Sequence, residues 1–212
     1  MSGLFRVTGL VDAESRAALQ RALAGREVWL ASASPRRRAI LRSCGIRHHA
    51  IGHTLDEPAP AGPDWRRWVR TWSLRKTRSA SSGLNHGLII AADTIVVCGT
   101  RGLGKPANPA QAESMLRRLS GRVHQVITGV AVISVEDAKW STGSAVTHVR
   151  FRSLSDREIR RYVRTGEPMD KAGAYAVQGE AGRFVSQIDG AVDNVVGLPV
   201  ECLANVVAKV TL

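Results

Sequence analysis

Long apolar runs are missing from this chain. No stretch approaches the roughly 20 residues needed to cross a bilayer, which argues against a membrane-spanning protein. Cysteine is scarce as well: Cys44, Cys98 and Cys202 lie far apart among apolar neighbours, without any Cys-x-x-Cys pair. That spacing argues against zinc or thiol redox chemistry and for buried free thiols. The stretch up to Gly25 lacks the compact apolar segment and small-residue cleavage site of a secretory signal, so the expected location is the cytoplasm. Acidic charge is the last shortage, with 18 Asp and Glu against 30 Lys and Arg, a formal net charge of +12.

What is present is ordinary for a globular protein. With 44% hydrophobic and 23% charged residues, 212 residues suffice for one α/β domain with a sizeable core or for two small lobes facing a cleft. The basic excess invites nucleic acid as a partner, because clustered cations release counterions from a phosphate backbone. Outside Arg36-Arg37-Arg38, however, there is no long basic run. A positive cleft for a small polyanion accounts for the charge at least as well.

The central stretch is Leu88-Ile89-Ile90-Ala91-Ala92-Asp93-Thr94. A short apolar run after Gly87 predicts a strand buried on both faces, with Asp93 delivered to its carboxyl end, where α/β proteins place catalytic or metal-binding groups. A turn or cap is the plain alternative for Asp-Thr at that place.

Ahead of it, Asp12 to Ala24 predicts a short appended helix, and Val28 to Ala31 a strand. Ser32-Ala33-Ser34-Pro35-Arg36-Arg37-Arg38 then turns into a helix with Ser34 as cap and Pro35 in the first turn. Cations at the positive end of a helix dipole are unfavourable unless an anion compensates, and a phosphate would do so. His48, His49 and His53 lack metal-ligand spacing and are assigned to a surface loop. Asp56-Glu57 before the Pro-rich loop is either solvated or a source of an oxygen ligand for a hard cation.

Asp64 opens a helix with Trp65, Trp68, Val69 and Trp72 on one face. Lys76 falls near that face, either snorkelling at its edge or aimed into the cleft. Gly102 to Pro106 predicts a loop that fixes Lys105 but lacks the P-loop spacing. Asn108-Pro109 starts a helix burying Ala112, Met115, Leu116 and Leu119. His124 to Ser134 and Thr142 to Arg152 read as strands, and Ser155 to Glu158 as a capping box for a helix reaching Gly166. The Gly- and charge-rich segment 166–179 predicts a working loop with Gln178 at the end of a short strand, its amide suited to a base edge. Phe184 to Ile188 predicts the closing strand, and Asn194 to Pro199 leads into a last helix packed through Leu203, Val206 and Val207.

Taken together the motifs resemble the Maf family of nucleoside triphosphate pyrophosphatases, also called septum formation inhibitor proteins. The resemblance rests on SASPRR at 32–37, DE at 56–57, AADT at 91–94, GKP at 104–106, LSG..H.V.TG at 119–129, GEPMDKAGAYAVQG at 166–179 and NVVGLP at 194–199. It implies an α/β fold similar to the inosine triphosphate pyrophosphatases, with a long mixed sheet, flanking helices and two lobes around a central cleft. It sets residues 1–26 apart as an N-terminal extension before a nucleotide pyrophosphatase domain at 27–212.

The implied activity is hydrolysis of dTTP and UTP, or of modified pyrimidine triphosphates, to the monophosphate and pyrophosphate with Mg²⁺ or Mn²⁺. Asp93 matches the family's proton acceptor and, with Glu57, a metal ligand. Lys105 and Glu57 match catalytic positions; Ser34, Arg36, Arg37, Lys76, Thr94 and Gln178 match substrate-binding ones, with Arg36, Thr94 and Gln178 tied to base selection. The 7-methyl-GTP branch usually carries Glu in place of Gln178. A homodimer is a family expectation, and no membrane or nucleic acid is required. The rival reading is a non-enzymatic nucleotide sensor or nucleic-acid-binding regulator of cell division.

Overall fold

The structure, a computed structural model, describes residues 10–55 and 58–211. In chain order its elements are α1 (Ala13–Leu23), β1 (Val28–Ala31), α2 (Pro35–Ser43), β2 (His49–Ile51), α3 (Trp65–Ala80), β3 (Leu88–Cys98), β4 (Arg101–Leu103), α4 (Pro109–Leu119), β5 (Val123–Ser134), β6 (Trp140–Phe151), α5 (Asp156–Val163), β7 (Val185–Asp189), α6 (Val192–Val196) and α7 (Val200–Thr211). Short 3₁₀ turns at Glu167–Asp170, Ala172–Ala174 and Glu180–Phe184 fill the gap before β7. Among the described residues no helix is long and apolar enough to cross a membrane.

The seven strands form one mixed sheet in the order β2-β1-β3-β5-β6-β7, with β4 beside β3. β1 runs parallel to β2 and β3, whereas every other pairing is antiparallel. Strand periodicity sorts β3 onto two faces. Ile90, Ala92, Val96 and Cys98 enter the main core with residues of α1, α2, α4, α5 and α7. Ile89, Ala91, Ile95 and Val97 face α3.

The α3 face is where the site is prepared. Its apolar contact is split into a cluster of Ala31, Ala80, Ile89 and Ala91 and a cluster of Val69, Ile95, Val97 and Ile127. Between them Lys76 meets Asp93. Gly129 lies opposite Asp93 in the β3–β5 register, and a side chain there would collide with the backbone of Val69. The missing Cβ therefore lets α3 lie directly on the sheet.

The edge of β3 explains the cavity. β1 pairs with it as far as Ile90 and β4 resumes at Val96. Residues 91–95 therefore border a gap in the sheet, and Asp93 and Thr94 sit at that gap. This corrects the expected strand end: Asp93 lies within an 11-residue strand, because strand geometry tolerates two polar residues where the neighbouring strand has stopped.

Other expectations also shift. α1 is no appendage, since Leu19 and Leu23 are buried in the main core. His49 belongs to β2, not to a loop, and β4 occupies part of the expected 102–106 loop. α5 ends at Val163, short of Gly166, and Asn194 lies in the short helix α6, ahead of the final helix. Cys202 is half-buried, whereas Cys44 and Cys98 are buried free thiols as expected.

Candidate active site

A cavity of about 550 Å³ opens at the gap between β1 and β4. Ser34, Arg36, Arg37, Lys76, Asp93, Thr94, Lys105 and Gln178, drawn from five separate segments, all line it. Glu57, the remaining expected site residue, lies outside the described residues.

The start of α2 supplies the first group. Ser34 caps the helix by accepting from the Arg37 backbone N–H at 3.5 Å. The Arg37 side chain is fixed from three sides: Nε donates to Gly197 O at 2.8 Å, Nη1 to Ser32 Oγ at 3.2 Å and Nη2 to Thr94 Oγ1 at 3.1 Å. No acid stands in the first turn of α2. Part of the expected compensation is internal, because Arg36 pairs with Asp170 at 3.6 Å.

Thr94 is held in turn. Its hydroxyl lies 3.0 Å from that of Thr128, which donates to Asn194 O at 3.0 Å. Asn194 Nδ2 donates to Val126 O and Thr147 Oγ1, both at 3.0 Å. Asp193 accepts from the N–H groups of Asn194 and Val200. The α6 segment that offers Gly197 O to Arg37 is thereby anchored to β5 and β6, which restricts the guanidinium to one orientation.

Lys76 resolves the choice between surface and cleft. It is 2% exposed, and its Nζ donates to Asp93 Oδ1 at 2.7 Å, with Asp93 14% exposed. A buried ammonium needs a partner to offset its desolvation, and the carboxylate provides one.

The opposite wall is irregular. The expected strand ending at Gln178 is absent: residues 175–179 run between 3₁₀ turns, after Gly173 at φ 68° and Ala174 at φ 61° turn the backbone. Gly173 is required here, since any Cβ would press on Val96. Glu167 closes this segment, with Oε1 accepting from the Tyr162 hydroxyl at 2.8 Å and Oε2 from Glu180 N–H at 3.1 Å. Lys171 Nζ donates to Glu167 O at 2.6 Å. Tyr175, on the cavity wall, lies 2.9 Å through its hydroxyl from His124 Nε2. Burial pushes the His124 imidazole down to about 4, so it is neutral at neutral pH.

Ser32, Lys171 and Tyr175 also line the cavity and were not given a role from the sequence, and His53, assigned to a loop, lines it as well. His53 keeps the loop position expected of it, half-buried on the cavity wall. Tyr175 could have been found from its place in an apolar-aromatic run beside Gln178.

The lining sets Arg36, Arg37, Lys76, Lys105 and Lys171 against Asp93 and Asp170, next to the apolar surface of Val96, Val126, Tyr175 and Val177. Such a pocket can take a compact polyanion joined to a flat, partly apolar group. Among the described residues no group of three or more His, Cys, Asp and Glu gathers to hold a metal. Mg²⁺ needs no such cage, since it is commonly held by one or two carboxylates with water and substrate phosphates. A carboxylate has about four lone-pair sites, so the bond from Lys76 does not exhaust Asp93, and the donor chemistry fits a hard cation.

Comparison with known proteins gives the family. The chain matches the Maf-like protein model over residues 27–210. It is 45% identical to the dTTP/UTP pyrophosphatase of Pelotomaculum thermopropionicum, over 87% of this chain and 96% of that relative. Identity is 44% to the dTTP/UTP pyrophosphatase of Syntrophomonas wolfei, over 85% and 95% of the two chains. It is 46% to that of Symbiobacterium thermophilum, over 82% and 88%. With its cavity formed from the motif-bearing segments inside the matched region, the chain belongs to the Maf-like protein family.

Proposed function

We propose that this protein hydrolyses dTTP and UTP to the nucleoside monophosphate and pyrophosphate. The observation that carries the reading is the meeting of one carboxylate, Asp93, with Arg37, Lys76 and Lys105 in a cavity that continues onto apolar surface beside Gln178. The names of the relatives support the substrate pair.

In this reading Arg37 and Lys105 hold the β- and γ-phosphates by charge-assisted hydrogen bonds. Asp93 orients a water against the α-phosphorus and takes its proton, while Lys76 fixes the carboxylate. The new bond joins water oxygen to the α-phosphorus. The bond from the α-phosphorus to the bridging oxygen breaks, and its electron pair leaves with pyrophosphate, where the cations take up the developing charge. Asp93 with Glu57 would hold Mg²⁺ or Mn²⁺, which when bound polarises phosphate oxygens and neutralises their charge. Arg36, Thr94 and Gln178 serve base selection, Gln178 by offering a donor and an acceptor to a pyrimidine edge. Ser34 keeps the start of α2 in place beneath the phosphates.

Purified protein given dTTP, UTP, GTP and 7-methyl-GTP with Mg²⁺ or Mn²⁺ tests this. The expected products are dTMP or UMP and pyrophosphate, with Asp93→Asn lowering kcat about a thousandfold. Preference for 7-methyl-GTP, or phosphate as the sole inorganic product, would overturn the assignment.

A further inference from the structure

The outer face of α3 is not used by the site. Arg66, Arg67, Arg70, Arg75 and Arg78 all project from this helix and are all exposed, while Lys76 on the opposite side is buried against Asp93. No Asp or Glu occurs between Asp64 and Asp93 in the sequence. Among the described residues none of these five arginines is ion-paired, whereas Arg117, Arg152, Arg160 and Arg183 elsewhere are matched with acids.

Aromatic surface is interleaved with this charge. Arg78 lies 5.5 Å from the ring centroid of Trp140 at the start of β6, and Arg75 lies 4.7 Å from that of Trp72. Trp140 is 52% exposed, and Trp68 is half-buried alongside. The acids of the adjoining turn are engaged beside it: Glu136 accepts from Gly87 N–H, just ahead of β3, and Asp137 from Ser134 Oγ. From Arg66 to Arg78 the helix rises about 18 Å, enough for a few nucleotides of extended strand.

We propose that the Arg66–Arg78 face of α3, with Trp140, binds single-stranded nucleic acid, the arginines meeting phosphates and the indole stacking on a base. Charge complementarity selects a polyanion. The exposed indole among cations selects unpaired bases, since a duplex leaves no base face free to stack. A lipid surface fits less well, because interfacial binding needs a contiguous apolar face. Among the described residues the exposed large hydrophobics are Trp140 and Val123, the latter on β5 at 42%. This surface is independent of the nucleotide-cleaving reading, and it places a strand-binding face back to back with the cavity on one helix.

The test is fluorescence anisotropy of a labelled oligo(dT) and oligo(rU) titrated with the full chain across salt concentrations, beside anionic phosphatidylserine vesicles. A triple variant Arg67→Gln/Arg75→Gln/Arg78→Gln is compared with Arg157→Gln/Arg161→Gln/Arg164→Gln, an equal charge change on exposed positions of α5 and the residue that follows it. Circular dichroism melts confirm that each folds. The α3 variant is expected to bind at least tenfold more weakly, with its log–log salt slope reduced by about 2. The α5 variant should keep the parent's slope, and Trp140→Ala should weaken binding about fivefold or more. Tighter binding of either oligonucleotide identifies the favoured polymer and supports the proposal. Equal losses in the two triple variants, binding of vesicles but of neither oligonucleotide, or no binding by the parent at physiological salt would overturn it.

Discussion

The two walls of the cavity are built differently. One is regular: β1 ends, α2 begins, β3 runs past the gap and α3 lies across it, so Arg37, Asp93 and Lys76 are set by helix and strand geometry. The other is a chain of 3₁₀ turns over 167–184, held by the Glu167 carboxylate, the Lys171 ammonium and the Tyr175–His124 contact. Charge is concentrated where the backbone is stiffest. The shape and the amide that would read a base belong to the irregular wall, where small changes of turn geometry can reshape the pocket without unfolding the sheet. Perturbing the first wall should cost stability and rate, and perturbing the second should cost discrimination.

The largest effect is expected at Lys76. Lys76→Met strands a mostly buried carboxylate and should lower stability by about 3 kcal/mol, read from the denaturant midpoint. The double variant Lys76→Met/Asp93→Leu replaces both charges with apolar groups and should recover most of that stability while dTTP hydrolysis stays lost. A single variant as stable as the parent would mean that the pair is not what secures this wall.

An acid titration probes the irregular wall. His124 has a folded value near 4 against 6.5 when free, so the unfolded chain binds its proton first as pH falls. The stability from keeping it neutral is therefore full above pH 6.5 and is lost between there and pH 4, to a total of about 3 kcal/mol. His124→Phe should flatten that part of the stability–pH curve. An unchanged slope in the variant would show that the loss comes from elsewhere.

A smaller, local effect is expected at Thr128. Thr128→Val keeps the shape but removes the hydroxyl between Thr94 and Asn194 O, loosening the Thr94 hydroxyl that accepts from Arg37. KM for dTTP should rise about tenfold, with kcat nearly unchanged, and Thr128→Ser should restore it. An equal fall in kcat for Val and Ser would indicate a packing role.

The regular wall was also the legible one. Val28 to Ala31 read as a strand because it is a short apolar run, and Ser34-Pro35 marked the start of α2 to the residue. The four buried residues of α4 followed from helical spacing, and the Ser155–Glu158 capping box forms as its pattern implies. Asp93 and Thr94 broke the apolar pattern and so hid the four residues of β3 beyond them, Ile95 to Cys98, whose continuation depends on pairing with β5, a long-range fact. The three-residue strands β2 and β4 have no periodicity to read. Ahead of Gln178, small residues alternating with Tyr175 and Val177 imitated a strand. Positive φ at Ala174, a residue that rarely adopts it, is imposed by tertiary packing and leaves no mark in the sequence.

Glu167 offers the mildest and most specific way to separate the walls. Its two oxygens accept from groups 5 residues before it and 13 after it, so one carboxylate sets the span of the segment that carries Lys171, Tyr175 and Gln178. Gly179 packs so closely on this carboxylate that a Cβ there would collide with it. Glutamine keeps the size but has one acceptor oxygen and brings an N–H₂ group toward a donor. In Glu167→Gln the oxygen can still accept from Glu180 N–H, but the contact with Tyr162 survives only reversed, the amide donating to the hydroxyl, and both bonds lose the carboxylate charge while Arg37, Lys76 and Asp93 are untouched. The ratio of kcat/KM for dTTP over GTP should therefore fall about threefold, a change near 0.7 kcal/mol, with stability nearly unaltered. If the ratio holds and the rate on every triphosphate drops together, the irregular wall does more than shape the base pocket: the turns would then be positioning the phosphates as well, and the division of labour between the two walls would fail.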